Sequence, residues 1–97
     1  MRKQSSIKPL GLELQRLVQD IGIEKKLNEY RAVTEWETIV GEHIARESSA
    51  ARISQGVLVV RVRTSTWRNE LTLRKKEIIK KINETLGGEI VKEIRFQ

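Results

Sequence analysis

Catalysis needs side chains that can carry a proton, an electron pair or a metal ion, and this chain is poor in them. His43 is the only histidine, Asp20 is the only aspartate, and there is no cysteine. Glu42-His43 lacks the second histidine of a zinc-protease helix, and one imidazole cannot build a zinc site without thiolates or well-placed carboxylates. No serine sits in a Gly-x-Ser-x-Gly elbow. Gly87-Gly88 lacks the spacing and the lysine of a phosphate-binding loop, and reads instead as a helix cap and turn. The glutamates are scattered over helix surfaces, where they serve solubility and weak i,i+4 pairing. Neither acid–base nor nucleophilic nor metal chemistry has a constellation to start from, so the expectation is a binding module, not an enzyme, with no cofactor and no small-molecule substrate.

The cations are the informative residues. Lys plus Arg number 19 against 13 acids in 97 residues, a formal net charge of +6. A surplus of that size favours polyanions and speeds encounter with them. Between Ser65 and Leu86, Arg68, Arg74, Lys75, Lys76, Lys80 and Lys81 face only three acids, Glu70, Glu77 and Glu84. Lys76 and Lys80 stand one helical turn apart, a spacing that can rail along a phosphate backbone and release its counterions. Arg61, Arg63 and Arg95 add a basic sheet face. The expected nucleic-acid contacts are therefore Arg61, Arg63, Arg68, Arg74, Lys75, Lys76 and Lys80, positioning a backbone without reading sequence. The other readings are a solvated helix face whose stems snorkel over the core edge, or a basic face for an acidic protein partner with no nucleic acid. Both partners would be electrostatic, so salt dependence alone does not separate them. The aromatic residues Tyr30, Trp36, Trp67 and Phe96 all fall on apolar faces, which leaves no platform for base stacking.

These side chains need elements to hold them. A chain of 97 residues fits one core. Residues 1–8 read as a flexible basic tail, and 9–97 as the single domain. Pro9 suits a helix start, and Leu10, Leu14, Leu17, Val18 and Ile21 mark one helical face that Gly22 ends. A second helical pattern runs from about Glu24 to Ile44 through Leu27, Tyr30, Val33, Trp36 and Val40, with Gly41 inside it. The period then changes. Ala51 to Ser54 and Val57 to Thr64 form a hairpin across the Gln55-Gly56 turn, with Leu58, Val60 and Val62 on one face. Ser65 or Thr66 caps a helix carrying Trp67, Leu71, Ile78, Ile82 and Leu86, and Val91 to Phe96 is a last strand. The fold class is α+β, in the order α-α-β-β-α-β. A right-handed crossover places the last strand parallel to a hairpin strand, giving a three-stranded mixed sheet with helices on one face. Trp36, Val40, Gly41, Trp67 and Leu71 are read as structural. No apolar run approaches the ~20 residues of a membrane span, and absent cysteine agrees with a reducing compartment, so a soluble, cytoplasmic protein is expected.

One ordered set of motifs carries a family likeness. Trp36-Glu37-Thr38-Ile39-Val40-Gly41-Glu42-His43-Ile44-Ala45 comes first, then Gly56-Val57-Leu58-Val59-Val60. Ser65-Thr66-Trp67-Arg68-Asn69-Glu70-Leu71 follows, then Ile82-Asn83 and Ile94-Arg95-Phe96. Over roughly residues 25–97 this resembles the bacterial DciA family. The resemblance implies a fold similar to the K-homology (KH) domain. It also implies a non-enzymatic replication role in which the protein binds single-stranded DNA, or RNA as the related polyanion, and helps load the replicative helicase. The Gly-x-x-Gly clamp of typical KH domains is missing, so that contact is not carried over. Some relatives carry a long flexible extension that does not occur in these 97 residues.

Overall fold

The computed structural model describes residues 2–97; for residues 2–10 and for Val18 the description is confined to the backbone. The elements are α1 (Arg2–Thr34), α2 (Trp36–Val40), α3 (Glu42–Ala45), β1 (Ser48–Ser54), β2 (Val57–Val62), α4 (Ser65–Leu73), α5 (Lys75–Leu86) and β3 (Glu93–Phe96). The α+β class and the three-stranded mixed sheet are as the pattern predicts. Strand order is β1-β2-β3, with β1 antiparallel and β3 parallel to β2. The expected tail of residues 1–8 includes Met1, outside the described residues, and falls otherwise where only the backbone is described.

One face of the sheet is covered. Leu58, Val60 and Val62 of β2 and Ile94 of β3 pack against Trp36, Ile39, Leu71, Ile78, Ile82 and Leu86. The alternation of β2 and the three-and-four spacing of α5 make both surfaces apolar, so burying them together drives the assembly. Two polar anchors lock it. Ser48 Oγ accepts from the Trp36 indole at 3.1 Å and donates to the Ile44 carbonyl at 2.7 Å, tying α2 and α3 to β1. Asn83 accepts from the Ile90 and Val91 N–H groups and donates to the Val91 carbonyl, clamping the turn between α5 and β3.

Element ends differ from the sequence pattern: α1 begins before Pro9, β1 begins at Ser48 and not Ala51, β2 ends at Val62 and not Thr64, β3 begins at Glu93 and not Val91, and the helices divide differently. The second helical pattern divides, because Gly41 at φ 91° interrupts it between α2 and α3. The long basic helix divides at Arg74. Its cap is Thr64, whose Oγ1 accepts from the Trp67 N–H at 3.1 Å, one residue before the expected Ser65 or Thr66. Most consequentially, α1 runs straight through Gly22. Its apolar residues Leu14, Leu17, Ile21, Leu27 and Tyr30, expected to pack inward, are exposed. The body spans about 19 Å in its two short directions while α1 extends the long axis to 68 Å. The radius of gyration is accordingly 18.5 Å, against ~13 Å for a compact chain of this length.

Candidate nucleic-acid interface

The uncovered face of the sheet is built row by row from strand register. Arg52 of β1 lies opposite Val59 of β2, and Val59 lies opposite Arg95 of β3. One row thus holds an arginine at each end of a valine. The next row pairs Ser49 with Arg61, and Arg63 follows two residues on. Side chains two apart on a strand share a face, so Arg52, Arg61, Arg63 and Arg95 all stand on the open side. Each is exposed. Val59, although on this side, is buried; the long stems of its arginine neighbours suit the task of covering it.

Arg52 reaches this face because of a bulge. Register shifts by one residue between Ala50 and Arg52. Without that extra residue the alternation that turns Ser48 and Ala50 inward would turn Arg52 inward too. The bulge reverses the phase, sending Ile53 to the core and Arg52 outward, which is how bulges re-aim side chains.

One hollow opens at the end of the sheet where Ser48 pairs with Val62, and another on the open face itself. The first, of about 310 Å³, is lined by Arg46, Arg61 and Arg63 with Ala45, Ser48, Ser49 and Val62. The second, of about 250 Å³, is lined by Arg52 and Arg95 with Ser54, Val57 and Val59. Arg46 makes a loose exposed pair with Glu42 at 3.5 Å. Among the described residues, Arg52, Arg61, Arg63 and Arg95 form no salt bridge. Such a face offers guanidinium donors to phosphate without first breaking an internal pair.

The helix cations stand elsewhere and in different company. Helices α4 and α5 cover the opposite, apolar side of the sheet, so Lys76, Lys80 and Lys81 do not join the arginine rows. Arg74 pairs with Glu70 at 2.9 Å. Lys75 is part-buried and reaches Glu93 at 3.2 Å. Lys80 lies 3.9 Å from Glu84. Arg68 is part-buried on α4, while Lys76 and Lys81 are exposed. Of the seven expected contacts, then, only Arg61 and Arg63 lie on the open sheet face, where Arg52 and, at its edge, Arg46 join them. Of the structural set, Trp36 and Leu71 are buried, whereas Val40, Gly41 and Trp67 are part-buried. The Trp67 ring meets His43 edge-on at a centroid distance of 5.8 Å.

Two acids border the arginine face: Glu47, whose backbone carbonyl accepts from the Arg63 N–H at 3.0 Å, and Glu93, two residues before Arg95 on β3. Glu93 accepts from the Ile94 N–H and from Lys75, and these bonds hold its carboxyl below the usual carboxylate range. Glu35 is likewise held low by the Arg31 guanidinium, which donates at 2.6 Å.

A family model described as "Dna[CI] antecedent, DciA" matches residues 9–96. The chain belongs to the DciA family. That places it in a group associated with DNA replication. Its similarity to curated relatives is low in identity and broad in coverage. It is 24% identical over 88 residues to a UPF0232 protein of Mycobacterium tuberculosis, covering 91% of this chain and 47% of that protein. It is 26% identical over 88 residues to a UPF0232 protein of Rhodococcus jostii, with the same coverage of each. The chain therefore spans about half the length of these DciA relatives. None of the described helices is long and apolar enough to cross a membrane.

Proposed function

We propose that this chain is the nucleic-acid-binding module of a DciA-type replication accessory protein. In this reading it is a non-enzymatic, cytoplasmic module of residues 9–97. It lays single-stranded DNA along the open face of its sheet and contacts the replicative helicase. Family membership supports the replication setting. The observation that carries the polyanion reading is four arginines on one face, unpaired among the described residues. Phosphates placed in the two arginine-lined hollows would bracket the Val59 row. Sugar and base would pass over valine and serine, with no aromatic ring to stack on. Binding of that kind is tolerant of sequence and steeply salt-dependent, with log K falling by ~0.7 per neutralised phosphate of a single strand.

The test is fluorescence anisotropy with a labelled oligothymidylate at moderate salt, against RNA and duplex competitors, beside a pull-down with the replicative helicase. The expected result is single-stranded DNA binding that weakens with salt, and helicase capture. Capture without any nucleic-acid affinity would instead favour a basic face made for an acidic protein partner.

A further inference from the structure

The straight helix α1 leaves two apolar ladders in water. Ile21, Leu17 and Leu14 step away from Gly22 in one direction by four and then three residues. Ile23, Leu27 and Tyr30 step away from it in the other direction with the same rhythm. All six are more than half exposed, as is Leu12, which stands outside the first ladder. The two ladders are mirror images about Gly22: Ile21 matches Ile23, Leu17 matches Leu27, and Leu14 matches Tyr30. That is the pairing of two antiparallel helices joined by a short turn centred on residue 22, with Ile21 and Ile23 in the turn and Leu17/Leu27 and Leu14/Tyr30 meeting across the seam.

On a straight helix the ladders cannot be served together. Ile21 and Ile23 lie about 200° apart around the axis, so the two halves of α1 show their apolar sides in nearly opposite directions. A straight partner helix, from a second copy or another protein, covers one ladder and leaves the other wet. A bend at residue 22 lets the first half lie back on the second and covers both. Gly22 is the residue that permits it: glycine costs a helix interior ~1 kcal/mol against alanine, and its backbone bends at little cost. No neighbouring element lies within 4 Å of where its Cβ would be, so the glycine is open to solvent on that side. The occupant of the outer face of residues 23–34 is also the nearest one available, tethered by the chain itself.

We propose that α1 is hinged at Gly22 and that residues 11–21 close onto Ile23, Leu27 and Tyr30 as a helical hairpin in the free monomer. The straight form is the opened state, in which both ladders are offered to a partner. This rests on α1 alone and is independent of the arginine face.

The chain has no cysteine, so an engineered pair reads the hinge directly. In Leu14→Cys/Tyr30→Cys the straight helix holds the two Cα atoms about 24 Å apart, whereas a disulfide requires ~4.4–6.8 Å. The closed hairpin gives an intramolecular disulfide in dilute, monomeric protein under mild oxidant, at a rate unaffected by dilution. Adding Gly22→Ala slows that closure about fivefold, the ratio expected from the helix preference of alanine over glycine. Small-angle scattering on the unmodified monomer gives a radius near ~13 Å when closed and 18.5 Å when straight. A radius at the straight value with no intramolecular disulfide overturns the proposal. So does a disulfide that forms only between chains, which assigns the ladders to a second copy.

Discussion

The arginines of the open sheet face and the cations of α4 and α5 are drawn from one basic composition, yet they stand in opposite electrostatic surroundings. On the helices, acids arrive at i,i+4 as a matter of sequence: Glu70 below Arg74, Glu84 above Lys80. On the sheet, the cross-strand neighbours of Arg61 and Arg95 are serine and valine, and the one acid beside Arg95 on its own strand, Glu93, is bonded to Lys75 and the Ile94 N–H. A count of charges along the chain ranks the helix segment first. Across the fold, among the described residues, the four sheet arginines form no salt bridge, whereas on the helices Arg74, Lys75 and Lys80 are paired and Arg68, Lys76 and Lys81 are not. The field that a polyanion meets depends on which charges lie side by side in space, and local density along the chain is a poor guide to that.

The largest expected effect sets the two regions against each other at equal charge. Arg52→Glu/Arg61→Glu/Arg95→Glu and Lys76→Glu/Lys80→Glu/Lys81→Glu each take the formal charge from +6 to zero. At ~1 kcal/mol for each exposed charge contact, the sheet set weakens single-stranded DNA binding about 100-fold. The helix set changes it by less than about 5-fold, through the general field alone. Equal losses in the two sets, read by anisotropy, would erase the distinction. The sheet set should also flatten the slope of log K against log salt by about 2, while the helix set leaves it nearly unchanged.

Next is the frame that holds the first hollow. Ser48→Ala strands the buried Trp36 indole N–H, at a cost of about 1–3 kcal/mol. It should lower the melting temperature by several degrees without altering DNA affinity at temperatures where the protein is folded. A loss of affinity in fully folded variant protein would mean that Ser48 itself touches the ligand.

A smaller effect concerns Glu93, one of the two acids beside the arginine face. Lys75→Ala frees Glu93 of its cation and leaves a barer carboxylate near Arg95, so affinity should fall by about 2-fold. The same pair has a pH signature. The folded carboxyls of Glu35 and Glu93 are held below their ordinary range, the first chiefly by Arg31 and the second chiefly by the Ile94 N–H with Lys75. A depressed folded value means that the unfolded chain takes up protons first. The stability they contribute is whole above the unfolded glutamate value of ~4.3 and is lost as pH falls through it and then through the folded value. Thermal melts from pH 6 to pH 3 should show that loss. Lys75→Ala should show less of it, with the Ile94 N–H part remaining.

The smallest effect is expected where charges are most plainly paired. Arg74→Ala and Lys80→Ala each remove an exposed i,i+4 contact and should cost no more than ~0.5 kcal/mol in a denaturant titration.

Several features were legible from residue order. The alternation of Leu58, Val60 and Val62 and the stripe of Ile78, Ile82 and Leu86 identify the two surfaces that meet in the core. The Gln55-Gly56 turn, with φ of 50° and 81°, marks the hairpin. A strand–helix–strand order implies the parallel third strand. Arg61 and Arg63 follow from β2 being covered on one side only. Arg52 was not legible, because a one-residue bulge between Ala50 and Arg52 reverses the alternation and leaves no mark in composition. Nor was the pairing of Lys75 with Glu93, which are 18 residues apart and meet only when β3 returns beside the start of α5. The core assignment of Leu14, Leu17, Leu27 and Tyr30 failed for a related reason. Periodicity says that a helix has an apolar side, and tertiary structure decides what, if anything, lies against it.

By itself the sequence determined the class of the fold, the two surfaces that form its core and an excess of positive charge. These depend on local spacing and composition, which are properties of the chain before it folds. The tertiary structure decided where that charge is free to act. Register and a bulge gathered four arginines on one face, while helical spacing and a returning strand gave Arg74, Lys80 and Lys75 their acid partners. Electrostatic company is set by distance in space, and distance in space exists only after the strands have paired.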